Sequence, residues 1–395
     1  MAALEFPPID FEDFHRIDLP ARIEAGNGAL AAPDLLGVGP LAFRIADEGV
    51  AFTYVPGPDS VEIWATDVAA DTVIDISREA FSDFANELRT SFGLLYAGMI
   101  GASRGDLGAF ERWEPALRAL YHGRPILDLR GPRADELRRS FTLETDDRSL
   151  RESLDANGFL HVRGVFSEEE IAALGAEVEA RRAVATPDDG ASWWATQADG
   201  TAVCCRLIYL ARTSELIGDL GDDERLRRLG ALGGEGLEPE IDCLDGQSVV
   251  IKNPQVTAGL SDLPWHRDCG LGGHPVLCPS VAIGIQLDRA SAETGQLHFV
   301  AGSHRGSSHP LRPGREAEHP VVAVDAEPGD VTVHFGDVLH AAPPPTGEGP
   351  CRRALYVTYT RPETIAYVGA GNGYNDVLFE HDGQVHAPDE IRFPA

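Results

Sequence analysis

Two residues of metal-binding type lie one position apart in the segment PWHRDCGLGGHP, residues 264–275. In an extended strand, residues i and i+2 point to the same side, so His266 and Asp268 are expected to aim an imidazole nitrogen and a carboxylate oxygen at one point. Such a pair supplies two of the three ligands of an open metal site. The pattern is short and common, however, so on its own it is better explained by a histidine paired with a carboxylate on a solvated strand.

A third ligand has to come from elsewhere among the 13 histidines of the chain. His340 is the best candidate, because it ends the segment PGDVTVHFGDVLH, follows a predicted strand and a turn, and precedes the proline-rich stretch AAPPPTGEGP. A rigid loop end of this kind can hold a ligand in place. His334 is the nearest rival, but it lies inside the predicted strand, where a structural or pocket-lining role is expected.

The number and type of these ligands indicate a class of metal centre. Two histidines and one carboxylate on one face of a metal leave three coordination positions open, which is the arrangement of non-haem Fe(II) oxygenases. A structural zinc site instead needs a closed tetrahedral shell, usually with cysteine ligands. A zinc hydrolase with two histidine ligands and one aspartate ligand remains open on ligand type alone.

Two arginines follow the candidate metal ligands at the start of the segment CRRALYVTYT. An Fe(II) enzyme that uses 2-oxoglutarate needs a cation that pairs with the distal carboxylate through two hydrogen bonds, while the 2-oxo acid end chelates the iron. Neighbouring residues on a strand point to opposite faces, so only one of Arg352 and Arg353 is expected to serve. A surface arginine pair is the alternative, and it is weaker with a metal site nearby.

The composition is that of a folded globular protein and limits the classes of partner. The chain has 395 residues, of which 43% are hydrophobic and 24% charged, and its net charge is −30. Such a surface repels phosphate backbones and anionic membranes, so a small-molecule substrate is expected rather than nucleic acid. No signal peptide, bilayer-spanning apolar run or cysteine framework is visible, so we expect a cytoplasmic protein without membrane insertion. The sequence does not indicate the oligomeric state.

The pattern of predicted strands and helices changes near residue 140, which predicts two domains, 1–140 and 141–395. In the first, alternating runs such as LAFRIADEGVAFTYV predict antiparallel strands, and Ser77 is placed to cap a helix. A charged segment over residues 130–149 is expected to be a linker. In the second, a capping box precedes a long helix at SEEEIAALGAEVEARRA, and short strands separated by turn signals then predict a β-barrel or sandwich.

The order of elements over about residues 10–123 resembles the sterol-carrier-protein-like domain. It consists of a small curved sheet, a strand that leads into a capped helix, and further helices. The resemblance implies either an apolar groove for a lipid-like group or a docking domain. The expected fold class is therefore α+β, with this smaller α/β domain first.

Four blocks of the second domain resemble the signature of the phytanoyl-CoA dioxygenase family: PWHRD, ETGQLHFVAGSHR, PGDVTVHFGDVLH and RRALYVTY. The segment LDANGFLHVRGVFSEEEIAAL also matches, so the resemblance covers roughly residues 147–362. It implies a double-stranded β-helix, which is a jelly-roll or cupin-like fold, with flanking helices. It also implies iron bound by His266, Asp268 and His340, with Fe(II), 2-oxoglutarate and dioxygen as cofactors.

The family pattern also bears on the arginine pair. In that pattern the cosubstrate arginine is followed by one residue and then by apolar strand residues, which favours Arg352 over Arg353. The proline-rich stretch after His340 departs from the pattern and leaves this register less firmly set. Further contacts are expected from neighbouring strands: Ser280 and Gln286 with the cosubstrate, and Lys252 and Trp265 with the substrate. A solvated lysine and a core tryptophan are the alternatives for the last two.

These inferences predict an Fe(II)- and 2-oxoglutarate-dependent dioxygenase of hydroxylase type. It would hydroxylate, or oxidatively cyclise or desaturate, an aliphatic carbon of a small organic substrate in natural-product or lipid metabolism. Related halogenases carry a small residue in the place of Asp268, so halogenation is not expected. The alternatives are a non-enzymatic protein that binds a lipid-like ligand and has a degenerate barrel, and a metal-dependent hydrolase. The sequence does not indicate the primary substrate.

Overall fold

The structure is a computed structural model that describes residues 6–363 except residues 97, 131–136, 138, 188, 242–244, 259–262, 269–279, 310, 312–313 and 315. Its first part begins with three short helices that are joined by π-helical segments and followed by a 3-10 turn: α1 (Phe11–Asp13), α2 (Leu19–Arg22) and α3 (Gly28–Ala31). The remaining elements of this part are β1 (Leu41–Ile45), β2 (Val50–Pro56), β3 (Val61–Trp64), β4 (Thr72–Ile76), α4 (Arg78–Ala85), α5 (Ser91–Tyr96), β5 (Ile100–Arg104) and α6 (Leu107–His122).

The five strands of the first part form one sheet in the order β3-β2-β1-β4-β5. Strands β1 and β4 run parallel, and the other neighbours are antiparallel. Helix α4 begins where the sequence predicts, because the Ser77 side chain accepts a hydrogen bond from the Ala80 N–H at 3.1 Å. Aromatic side chains from the sheet and from α4 and α6 fill the core between them, among them Phe43, Phe81 and Phe110. The resemblance to the sterol-carrier-protein-like domain stays a prediction.

The second part begins with β6 (Ser140–Phe141), α7 (Asp147–Asn157), β7 (Phe159–Val162), α8 (Glu168–Val184), β8 (Ser192–Gln197), β9 (Ala202–Leu207), α9 (Glu215–Gly218) and α10 (Glu224–Gly230). It continues with β10 (Glu238–Pro239), β11 (Ser248–Lys252), β12 (Val256–Ala258), β13 (Leu263–His266), β14 (Val281–Gln286), β15 (His298–Val300), β16 (Val321–Ala323), β17 (Val331–Phe335), β18 (His340–Ala342) and β19 (Arg352–Thr360). Strand β6 pairs in parallel with β7. The segment over residues 130–149 that was predicted to be a linker therefore contains a strand at residues 140–141.

The strands of the second part form two sheets that face each other. The larger sheet has the order β12-β8-β9-β11-β19-β14-β17-β7-β6, with β10 also paired to β19, and the smaller has the order β13-β18-β15-β16. Side chains of both sheets meet in one apolar cluster, in which the rings of Phe159 and Phe299 stack with centroids 4.6 Å apart. This is the jelly-roll architecture that the sequence predicted.

Helices cover the outer face of the larger sheet. Because side chains alternate along a strand, Val281, Ile283 and Ile285 of β14 pack with α7, α8 and α10, while the residues between them face the smaller sheet. Helix α8 begins in the predicted capping box, where Ser167 and Glu170 exchange hydrogen bonds at 3.3 and 2.7 Å. No helix in the described part of the chain is both long enough and apolar enough to cross a bilayer.

Candidate metal and cosubstrate site

The two histidines of the predicted metal set come from neighbouring strands of the smaller sheet. His266 is the last residue of β13 and His340 is the first of β18, and the two are direct partners in an antiparallel pair. Directly opposed side chains on one face of such a pair lie close together, and the two ring centroids are 4.2 Å apart. His340 therefore begins a strand, which corrects the prediction of a loop end.

Backbone carbonyl groups orient both imidazole rings. The Nδ1 atom of His266 lies 2.7 Å from the Pro264 carbonyl oxygen, and that of His340 lies 3.0 Å from the Val338 carbonyl oxygen. Because a carbonyl oxygen only accepts, we assign the proton of each ring to Nδ1, and each Nε2 keeps its lone pair for a metal. The same i−2 contact thus prepares both rings.

Asp268 completes the set from a position just beyond the end of β13, which corrects the prediction that it shares a strand with His266. Its Oδ1 lies 3.4 Å from Nε2 of His266 and 3.5 Å from Nε2 of His340. The three ligand atoms lie within 4.8 Å of one another, a spacing that could hold a metal ion. Metal–ligand bonds of about 2.1 Å place adjacent octahedral ligand atoms about 3 Å apart, so a small contraction suffices.

The protonation states in this cluster suit a cation. Burial lowers the pKa of His340 to about 3, so its imidazole is neutral. Burial raises the pKa of Asp268, but the imidazoles of His340, His266 and His334 outweigh burial and hold this pKa well below its ordinary value. Metal ligands have to be deprotonated, and a neutral imidazole beside a carboxylate meets that condition. The residues present therefore fit a site for Fe(II).

His334 lies beside this cluster, on the larger sheet. It is 1% exposed, its ring centroid is 4.7 Å from that of His340, and its Nε2 is 3.4 Å from Oδ2 of Asp268. Neither of its ring nitrogens has a hydrogen-bond partner among the described residues. An inward position in the alternation of β17 is the signal that could have placed it in the site.

Arg352 and Arg353 point to opposite faces of the larger sheet. Arg352 is 1% exposed, and its Nη1 donates a hydrogen bond to Oε1 of Gln286 at 3.1 Å. Arg353 lies on the outer face, where it pairs with Asp288 at 2.8 Å and with Glu179 of α8 at 3.1 Å. Each arginine therefore has its own set of partners.

Arg352 is a buried cation whose hydrogen-bond partners are neutral. Besides Gln286, it donates to the Gly295 carbonyl oxygen at 2.8 Å and to the Thr294 carbonyl oxygen at 3.4 Å. Within the described ranges, no carboxylate forms an ion pair with it, and burial lowers its pKa. A buried guanidinium without a counter-ion is costly, and a carboxylate that binds it through two hydrogen bonds relieves that cost.

Of the other predicted contact residues, Lys252 and Ser280 lie in or beside the larger sheet, whereas Trp265 lies away from the metal cluster. Lys252 lies directly opposite Arg352 in the β11–β19 pair, and its Nζ donates a hydrogen bond to the Ala342 carbonyl oxygen in the smaller sheet. Ser280 is buried and directly precedes β14. Trp265 is not brought to the cluster, since it packs with the apolar side chains on the other face of the smaller sheet.

Two polar residues on the inner surface, which is the face of the larger sheet that points toward the smaller sheet, were not singled out by sequence patterns. Tyr356 lies across Gly284, where an added Cβ would come within 2.9 Å of the tyrosine ring. Glu240 is 5% exposed, and burial together with the charges of Asp245 and Asp268 raises its pKa to about 8. Strand alternation from the candidate arginine could have found Tyr356. Glu240 follows the two-residue strand β10, which is too short to show an alternating pattern in the sequence.

The amino-acid sequence of the jelly-roll part matches a family model. Residues 154–354 match the model described as phytanoyl-CoA dioxygenase, which is just over half of the chain. The chain belongs to the phytanoyl-CoA dioxygenase family. As a member of this family it is an Fe(II)- and 2-oxoglutarate-dependent oxygenase, so the predicted enzyme class and the cofactors Fe(II), 2-oxoglutarate and dioxygen are confirmed. Membership favours this class over the hydrolase and the non-enzymatic binder.

Several solved structures are similar to this phytanoyl-CoA dioxygenase family member. AviO1 from Streptomyces viridochromogenes is 27% identical with a TM-score of 0.43, over 55% of this chain and 96% of that chain. The epimerase SnoN from nogalamycin biosynthesis is 21% identical with a TM-score of 0.43, over 56% and 88%. EctD from S. alaskensis is 18% identical with a TM-score of 0.46, over 61% and 85%. No curated protein sequence matches the chain.

Proposed function

We propose that the protein is a hydroxylase in which His266, Asp268 and His340 hold Fe(II) and Arg352 binds the distal carboxylate of 2-oxoglutarate. The observation that carries this proposal is Arg352 itself, a buried cation with neutral partners in the larger sheet of the jelly roll. The proposed substrate is a small organic molecule of natural-product or lipid metabolism. The enzyme hydroxylates one of its aliphatic carbons, and oxidative cyclisation and desaturation are variants of the same reaction.

Each of these side chains has a separate task. Fe(II), when bound, supplies the centre that activates dioxygen. The Nδ1–H groups of His266 and His340 hold the two Nε2 lone pairs on one point. Arg352 orients the cosubstrate, and Gln286 holds one edge of its guanidinium. Lys252 ties β11 to the strand that begins with His340, which keeps the arginine and the metal ligands at a constant separation.

Asp268 decides between oxygenation and halogenation in this proposal. Its carboxylate supplies the third protein ligand and a negative charge. Chloride therefore has neither a vacant protein position nor an electrostatic reason to bind there. We expect a product that gains oxygen or loses hydrogen, and no chlorinated product.

The substrate contacts that we propose are Lys252, as the sequence predicts, together with Glu240 and Tyr356. Glu240 is 5% exposed and directly follows β10, which pairs with β19, and Tyr356 lies on β19 on the same face as Arg352. Polar groups on this face are placed to hydrogen-bond a substrate beside the metal site. Trp265 does not belong to this set, because it packs on the other face of the smaller sheet.

We also propose that residues 1–140 and 141–395 are separate domains and that the first is the sterol-carrier-protein-like domain. Among the residues that the structure describes, the apolar core of the first sheet and its helices contains none from the jelly roll, which supports the division. Such a domain would hold an apolar group or dock a partner. Expression of residues 141–395 alone tests the division, since a domain with its own core should fold and bind metal.

The experiment that tests the proposed function is succinate release by the full chain. The protein with Fe(II), 2-oxoglutarate and dioxygen is screened against aliphatic compounds, and product masses are recorded. A compound that raises succinate formation should gain one oxygen or lose two hydrogens. Wild-type protein that releases no succinate with any compound, or His340→Ala protein that is as active as wild type, would contradict the proposal.

A further inference from the structure

The carboxylate of Asp268 faces imidazoles on both sides. Its Oδ1 is the oxygen near the two Nε2 atoms of His266 and His340, at 3.4 and 3.5 Å. Its Oδ2 lies 3.4 Å from Nε2 of His334. His334 does not belong to the group of described residues that could hold one metal ion. The two oxygens therefore have different surroundings, one facing the metal position and one facing a third histidine.

The larger sheet holds His334 rigidly in this place. Its backbone pairs with Ala282 of β14 on one side and with Phe159 of β7 on the other. Its ring lies beside that of Phe299, with centroids 5.3 Å apart, and Phe299 also contacts the His340 ring at 5.9 Å. The residue is 1% exposed, so its ring has little room to turn away.

The polar atoms of His334 have no use in the fold itself. Neither ring nitrogen has a hydrogen-bond partner among the described residues, and an apolar ring would fill the same space without that cost. Oδ2 of Asp268 is an acceptor at 3.4 Å, and a shift of a few tenths of an ångström would make a hydrogen bond. Contraction of the metal cluster would move the carboxylate, so this bond can form when metal binds.

We propose that His334 is a positioning residue whose Nε2–H donates to Oδ2 of Asp268 and keeps the carboxylate bound to the metal through Oδ1 alone. This inference rests on the proposed function, because it requires the three-residue metal set. The reason lies in the number of open positions. The cosubstrate needs two and dioxygen needs one, so a carboxylate that bound through both oxygens would occupy a position that the reaction requires.

The test is Co(II) binding to metal-free protein in the absence of dioxygen, read as a dissociation constant and as the visible absorption of bound Co(II). His334→Phe keeps the ring volume and removes the donor, and should weaken Co(II) binding by about 10- to 100-fold with a changed absorption spectrum. His334→Gln places an amide N–H near the former Nε2 and should restore binding to within about threefold of wild type. His334→Leu replaces His334→Phe where the latter does not fold.

Phe299→Leu is the matched control, because it removes packing from the same two imidazole rings without removing a donor. It should lower the midpoint of thermal unfolding and leave Co(II) affinity within about threefold. Co(II) binding by the apolar His334 variant within about threefold of wild type, or a Gln variant as weak as that variant, would overturn the proposal. His340→Ala distinguishes a failure of this inference from a failure of the proposed function. Co(II) binding with wild-type affinity in that variant would overturn the three-residue metal set itself.

Discussion

Replacing Arg352 by methionine removes the guanidinium that we propose for 2-oxoglutarate and leaves a long apolar side chain in its place. Arg352 is 1% exposed, and its hydrogen-bond partners among the described residues are neutral, such as Gln286 at 3.1 Å. The loss of one partner from a buried charge pair costs about 2–5 kcal/mol, which is about 30- to 4000-fold in affinity. We therefore expect the Kd for 2-oxoglutarate to rise by at least about 30-fold.

Arg353→Met is the matched control, because it changes the neighbouring residue in the same way on the opposite face. Arg353 keeps 19% side-chain exposure and pairs with Asp288 and Glu179. Loss of these partly exposed ion pairs should lower the free energy of unfolding by about 1 kcal/mol. The Kd for 2-oxoglutarate should stay within about twofold of wild type, since the side chain does not reach the inner surface.

The assay is the stabilisation of Mn(II)-loaded protein by 2-oxoglutarate in the absence of dioxygen, measured by chemical unfolding. At a concentration of 100 times the wild-type Kd, the ligand should raise the free energy of unfolding by about 2.7 kcal/mol. Binding that is 30-fold weaker reduces this gain to about 0.9 kcal/mol at the same concentration. The reverse order, in which Arg353→Met loses the gain and Arg352→Met keeps it, would refute the reasoning and place the register one residue off.

The other predictions concern the metal set and the inner surface. His340→Ala should abolish tight Fe(II) binding and 2-oxoglutarate decarboxylation, and unchanged iron content after desalting would contradict the metal set. In chloride-rich buffer with labelled dioxygen, the wild type should give no chlorinated main product, and Asp268→Gly should lose hydroxylation without gaining efficient chlorination. Burial raises the pKa of Glu240 to about 8, so the folded protein holds a proton that the unfolded chain releases. The free energy of unfolding of the wild type should therefore fall, relative to that of Glu240→Gln, by on the order of 3 kcal/mol between about pH 5 and 8. Urea unfolding at several pH values measures this, and a difference between the two proteins that does not change with pH would contradict the prediction.

Local features of the fold could be predicted because their causes lie within a few residues. The caps at Ser77 and Ser167 use backbone groups three positions away, and both are present in the structure. Strand β17 was predicted as one of the short strands that turn signals separate. The two-residue strands β6 and β10 were not predicted, because they exist only through pairing with distant strands and carry no periodicity.

The sequence by itself determined the chemistry that is available: an imidazole and a carboxylate one residue apart, and two arginines that must point to opposite faces. The tertiary structure decided which groups meet. His340 joins His266 through the antiparallel pairing of β13 and β18, and Glu240 reaches the inner surface through the pairing of β10 with β19. The physical reason is that periodicity specifies which face a side chain occupies, whereas backbone hydrogen bonds between strands far apart in the chain specify its neighbour.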